Sequence, residues 1–261
     1  MQLSAAIAFV QAHGSAIEQA RLAYLVHGTA PTPEIIGGVF AGQRPDGGWA
    51  PFWAPDYSSL DATCYHLAQA EPLGLITTTA AGGRALDLLR DRQRADGAWQ
   101  EKAPSDVELP PWLTPNDPAT ICYLTANCAL WLTLRPRDAQ ACERATAFLE
   151  TSFQALTVID PPHIAWLAAA LWHACGKIAQ AEQALQQLAS QHPQLSAGAL
   201  AWAVTSLHIA GVPSAHWFVT RSAQQLDALQ RADGGWSSAD GAAHDVHVTL
   251  EAIRALRSEV S

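Results

Sequence analysis

Three carboxylates stand at the predicted starts of apolar helices. They are Asp61 in Leu60-Asp61-Ala62-Thr63, Asp117 before Pro118, and Asp245 in Asp245-Val246-His247-Val248-Thr249. A carboxyl group so placed can do one of two things. Ionised, it caps the helix or answers its dipole. Kept protonated by burial, it is a proton donor. Asp117, followed by Pro at the first helical position, reads as a cap. Asp61 and Asp245 are open to either role. His163 and His247, near two more such starts, could orient a carboxylic acid, meet a phosphate, or be satisfied structural histidines. The chain holds ten Trp against one Met. Trp53, Trp112, Trp166 and Trp202 fall in loops or helices that could line an apolar cavity. A π-face there offers a cation negative potential without a nucleophilic lone pair. Plain core packing accounts for the same residues.

These groups need a scaffold, and the sequence carries its signature. Gln43-Arg-Pro-Asp-Gly-Gly-Trp49 returns as Gln93-Arg-Ala-Asp-Gly-Ala-Trp99 and as Gln230-Arg-Ala-Asp-Gly-Gly-Trp236. Self-similarity of this kind marks a repeat architecture. Around the copies nearly every segment reads as helix, punctuated by Gly and Pro. Ser15 and Glu18 form a capping box, and Gly28 suits a left-handed helix end. Later helices are expected over Pro118–Leu132, about 138–153, 162–174, 177–191, 195–210 and 214–230, and over Asp245–Arg257. Arg84 and Arg144 open similar segments, Arg84-Ala-Leu-Asp-Leu-Leu and Arg144-Ala-Thr-Ala-Phe-Leu. Thr63, Thr120 and Thr249 follow the three motif copies at the start of the next helix.

The expectation is an all-α chain, a single domain over 1–261, with about twelve helices in six hairpins closing as an (α/α)6 barrel. The long connections, near 44–57 and 94–116, all enter the inner helices from one side. The inner-helix N-termini then share one mouth, where loops on a rigid scaffold usually carry function.

Composition narrows the partners. A net charge of −9, 15% charged residues and no Lys/Arg cluster argue against nucleic acid. Five Cys without paired spacing suit a reducing compartment, and the first residues lack a basic signal-peptide region, so a cytoplasmic protein is expected. No uninterrupted apolar run is long enough to span a membrane.

Arg84-Ala85, Leu88-Leu89, Gln93, Gly97 and Trp99 resemble the repeat of squalene–hopene and oxidosqualene cyclases, with Leu88 where that family prefers an aromatic. Arg221, Gln230, Gly234 and Trp236 match nearly as well, and Gln43, Gly47 and Trp49 match in the second half. The chain is thereby similar to the terpene cyclase and protein prenyltransferase superfamily. The resemblance implies that the Gln and Trp fasten neighbouring hairpins. It also implies a carboxylic acid that protonates an alkene or epoxide, with aromatic faces around the resulting cation.

The Asp-x-Asp-Asp signature of part of the family is absent. Asp61-Ala62-Thr63 keeps the Asp and Thr of the shorter Asp-Cys-Thr form, so Asp61 is the expected acid. Asp245 keeps the first Asp of the longer form, with His247 where the acid would stand. The zinc pattern of the prenyltransferases is broken at both ends, and no acidic run for a magnesium-bound diphosphate exists, so neither metal nor cofactor is expected.

The function expected is acid-initiated cyclisation of a linear isoprenoid bound in a Trp-lined cavity, with Asp61, Asp245 and His247 as catalytic candidates. Trp53, Trp112, His163, Trp166 and Trp202 are the substrate-binding ones, and contact with a membrane surface would give access to such a substrate. A second reading is a prenyl-binding or scaffold module without catalysis, completed by a partner subunit or a homodimer. A third is a carbohydrate-active barrel with paired carboxylates.

Overall fold

The computed structural model describes residues 1–156 and 161–257. It is all-α as expected: the described residues form twelve α-helices and several short 3-10 turns. Their one β feature is an isolated antiparallel bridge between Trp49 and Ser59. The helices are α1 (Leu3–His13), α2 (Ala16–His27), α3 (Pro33–Val39), α4 (Leu60–Ala70), α5 (Ala80–Asp91) and α6 (Pro118–Leu132). They continue as α7 (Ala139–Ser152), α8 (His163–Ala174), α9 (Ile178–Gln187), α10 (Ala197–Ile209), α11 (Trp217–Ala228) and α12 (Asp245–Arg257). The chain divides into two compact units, one of residues 36–184 and the other of 1–35 with 185–261.

In the unit of residues 36–184, α6 is the central element and packs against α4, α5, α7 and α8. Nearly every side chain from Cys122 to Leu132 is buried, and so is every one from Ile164 to Trp172 on α8. Ala165, Ala168, Ala169 and Ala170 are wholly buried on α8, and their small size lets two helices without a polar face lie side by side. Burial of α6 and α8 on all sides explains why they lack the apolar stripe of a surface helix.

In the other unit α12 packs against α1, α2, α10 and α11. Arg21 of α2 is fully buried there. Its guanidinium reaches Glu251 Oε1 at 2.6 Å and lies 3.3 Å from His247 Nδ1. The expected start of α11 at Ser214 gives way to a turn. His216 caps the helix instead, its Nδ1 accepting from the Phe218 N–H at 3.3 Å. Likewise α9 stops at Gln187, and a 3-10 turn over His192–Gln194 precedes α10.

The three seven-residue copies make the same set of bonds. Each Gln donates to the carbonyl of its own Gly, 2.9 Å in all three copies. Each also donates to a carbonyl further away in sequence: Ala81 for Gln43, Ala141 for Gln93, Gln2 for Gln230. The Asp turns back to accept the N–H two residues on. The indole N–H of Trp99 and of Trp236 donates to a carbonyl of the preceding helix, and that of Trp49 to the Ala41 carbonyl just past the end of α3. Gly47, Gly97 and Gly234 sit at φ of +96, +91 and +90, with no room for a Cβ. That atom would stand 2.4, 2.4 and 2.3 Å from the main-chain oxygens of Arg84, Arg144 and Ala5. The motif therefore fastens its own turn to another helix, α5 and α7 for the first two copies and α1 for the third. Arg84 and Arg144 accordingly serve the copy before them, donating to Gln43 and Gln93.

One expectation about the repeat is corrected. The Trp49 and Trp236 N–H groups donate to Thr63 and Thr249, but the Trp99 N–H donates to Thr125 at 3.1 Å. Thr120 instead gives its own N–H to the cap Asp117. The longer loop before α6 moves the helix start, so the repeat position falls one turn further along.

Candidate active site

The site is built on the first turn of α4 and the second and third turns of α6, with the 100–116 loop beside them. Ser59 is the cap of α4, its hydroxyl accepting the Ala62 N–H at 3.2 Å. Asp61 thus lies inside the first turn and is relieved of capping. Its half-buried carboxyl points instead to groups from other elements. Oδ1 accepts a very short hydrogen bond from the Tyr123 hydroxyl of α6. Oδ2 accepts from the Trp112 indole N–H at 3.4 Å. Behind Tyr123, Asn127 Nδ2 donates to the phenolic oxygen at 3.3 Å, one turn further along α6. The chain of donors runs in one direction, from amide to phenol to carboxyl.

Burial raises the Asp61 carboxyl above the usual carboxylate range, against the opposing effect of the Tyr123 and Trp112 hydrogen bonds. No Lys or Arg pairs with it among the described residues. Burial and then the neighbouring Asp61 push the Tyr123 hydroxyl well up, so it remains a donor. Burial lowers His163 to about 4, leaving its ring neutral at neutral pH.

The two donors, though not Asp61 itself, border a cavity of about 280 Å³, lined by Trp112, Thr114, Asp117, Thr120, Tyr123 and His163 among others. His163, first residue of α8, stands edge-on to the Tyr123 ring at 4.7 Å. Trp112 is 44% exposed and meets Trp53 edge-on at 5.9 Å, and the Trp53 indole donates to the Tyr57 hydroxyl at 3.3 Å. The structure therefore brings Asp61, Trp112, His163 and Trp53 into one neighbourhood. Trp166 lies one turn beyond His163 and is 1% exposed, packed in the core rather than on the cavity wall.

The other candidates belong to the other unit. Asp245 accepts from Arg231 and from the Ser238 N–H at 2.8 Å. Burial alone would raise its carboxyl, but the Ser238 N–H and Arg231 outweigh it and hold the group below its ordinary value. An ionised carboxylate so paired is a poor proton donor. His247 lies against Arg21, and burial lowers its ring. Trp202 is half-buried on α10, its carbonyl accepting from Thr205. Among the described residues no group of three His, Cys, Asp or Glu side chains clusters as metal ligands do.

Three residues of the site carry no mark in the sequence reading: Tyr123, Asn127 and Glu101. Glu101 is 8% exposed, and its Oε1 accepts from the Ser59 hydroxyl at 2.5 Å and from the Asp61 N–H at 3.1 Å. One signal existed for it. It follows Trp99 by two, where the other copies of the motif have Pro51 and Ser238.

No protein-family model and no curated protein matches the sequence. Solved structures do match in fold. The chain is similar to a protein from Actinoplanes, at 17% identity and a TM-score of 0.61, over 99% of this chain and 98% of that one. It is also similar to the type II terpene cyclase MstE from Scytonema in complex with its substrate, geranylgeranyl dihydroxybenzoate. There the identity is 16% and the TM-score 0.59, over 98% and 96% of the two chains. A complex of MstE with its product, merosterolic acid A, matches at 14% identity and a TM-score of 0.59, over 98% and 95%. The chain has a terpene cyclase-like fold.

Proposed function

We propose that the protein is an acid-initiated cyclase of a linear isoprenoid, with Asp61 as the proton donor. The observation that carries this reading is a carboxyl group raised by burial, without a cationic partner, held by two neutral donors beside a cavity with an aromatic wall. Tyr123 occupies Oδ1, so the acidic hydrogen belongs on Oδ2, beside Trp112. Transfer of that hydrogen to one carbon of a terminal alkene breaks the Oδ2–H bond and leaves a tertiary cation on the other carbon. Attack by the next alkene closes a ring, and loss of a proton ends the reaction as a net isomerisation. Tyr123 and Trp112 donate more strongly to the carboxylate than to the acid, so their bonds favour the state formed as the proton leaves. The Trp112 face and the neutral His163 ring border the cavity without offering a strongly basic group.

The likeness to MstE supports the reading through the fold, and MstE's substrate suggests prenylated phenolic acids for a first screen. The test is incubation with geranylgeranyl dihydroxybenzoate, squalene and free prenyl alcohols, with products identified by mass spectrometry and NMR. In heavy water one deuterium should enter each product. Asp61→Asn should lose at least 100-fold in rate, and wild-type cyclisation by that variant would end the proposal.

A non-catalytic prenyl-binding role is the second reading. The cavity lining favours it: Trp112, Tyr123 and His163 border the cavity and Asp61 does not. Binding of the same compounds without turnover would select it.

A further inference from the structure

Glu101 has no evident reason to be an acid if its task is structural. It is 8% exposed and makes no ion pair among the described residues. Its Oε1 takes two hydrogen bonds, from the Ser59 hydroxyl and the Asp61 N–H, while its Oε2 is buried without a partner. A glutamine would accept the same two bonds at no cost in charge. A buried carboxyl with one bare oxygen is an expensive choice unless its charge or its proton is used.

The groups around it sharpen the point. From α4 come Ser59, Asp61 and Cys64. From α6 come Tyr123, Asn127 and Cys128, with Cys128 Sγ 3.8 Å from Cys64 Sγ. Tyr57 and Trp112 face the pair from the flanking loops, and His163 stands behind Tyr123 from α8. None is cationic at neutral pH. One oxygen of Glu101 is bonded to the main-chain nitrogen of Asp61, so both acidic residues act on the first turn of α4. In such surroundings a negative charge on one group opposes ionisation of the other, with no cation beside them to offset it.

Building on the reading of Asp61 as acid, we infer that Glu101 is a positioning residue which makes Asp61 and Glu101 a single titrating unit, retaining one proton above the ordinary carboxylate range. Its hydrogen bond fixes the first turn of α4, and its carboxyl keeps Asp61 from ionising fully. Burial raises both groups, and the Asp61 charge raises Glu101 further. Coupled sites of this kind titrate in two steps that belong to the pair.

The test is a carbon-13 carboxyl NMR titration of protein labelled at aspartate, with Asp61→Asn assigning the signal. In the wild type the Asp61 signal should move in two steps, the upper one above the ordinary carboxylate range. In Glu101→Gln it should move in one step, at least one pH unit lower than the upper step. An unchanged titration overturns the inference. Should Glu101→Gln fail to melt cooperatively, the reciprocal measurement decides. With glutamate labelled, Asp61→Asn should lower the Glu101 titration, and an unmoved Glu101 overturns the inference equally. Both readouts are independent of turnover. Coupling without any cyclase activity would sink the proposed function alone. Cyclase activity that needs Asp61 but is unshifted in pH by Glu101→Gln would sink the coupling alone.

Discussion

The Tyr123 hydroxyl on α6 donates to Oδ1 of Asp61 on α4, and this bond leaves the other carboxyl oxygen as the one that can carry an acidic hydrogen. The phenol is itself oriented by Asn127 Nδ2 at 3.3 Å. Two helices that share the core of one unit thus orient a carboxyl group on its edge.

Tyr123→Phe keeps the ring against His163 and removes the donor. Because the hydrogen bond lowers the Asp61 carboxyl, its loss should raise that group further and weaken the acid. Cyclisation should fall roughly 10- to 100-fold, about 1.4–2.7 kcal/mol, with the basic limb of the pH profile moved to higher pH. A limb moved to lower pH would contradict the assignment.

His163 predicts an acid-side loss of stability. Its folded value is about 4 against an ordinary 6.5, so between these the unfolded chain binds the extra proton, and stability falls as pH drops through that window. His66, also lowered to about 4 by burial, adds to the same slope. Asp61, being raised, acts in the opposite sense: the folded state holds its proton above the ordinary value, and stability falls as pH rises through that range. Denaturation midpoints from pH 4.5 to 7 should show a shallower acid-side decline in His163→Phe than in the wild type. They should show a steeper one in Asp61→Asn.

Thr125 and Thr120 separate the repeat position from its sequence neighbour. Thr125→Val strips the buried Trp99 N–H of its acceptor and should cost about 1–3 kcal/mol. Thr120→Val keeps the backbone bond to Asp117 and loses only a 3.4 Å contact to the Trp112 carbonyl, so it should cost under about 1 kcal/mol. Urea denaturation of the two variants is the comparison, and equal losses would refute the assignment.

Gly97→Ala tests the fastener itself. A side chain at φ +91 is strained, and its Cβ would press on the Arg144 carbonyl at 2.4 Å. The two effects together should cost at least about 2 kcal/mol. Gly83→Ala, on α5 with open space around it, should be neutral or stabilising by up to about 1 kcal/mol. Thermal melts of both would settle it.

Much of this protein was legible from short-range pattern. Helix caps, Gly stops and the three motif copies depend on residues within one turn of each other, so α6 and α12 were placed to the residue. Asp61 was legible as a candidate because an Asp two before a Thr at a helix start is a local feature. Its choice between cap and acid was not. That choice turns on Ser59 taking the cap, on Tyr123 arriving 62 positions later, and on the lack of a Lys or Arg ion pair at Asp61 among the described residues. The same holds for Asp245, equally well spaced in sequence, which Arg231 holds as a carboxylate. The sequence by itself determined the helices, their fasteners and the short list of carboxyls. Only the tertiary structure decided which carboxyl sits among neutral donors and which beside an arginine, because the partners of a group are set by what surrounds it in space, not by what adjoins it in the chain.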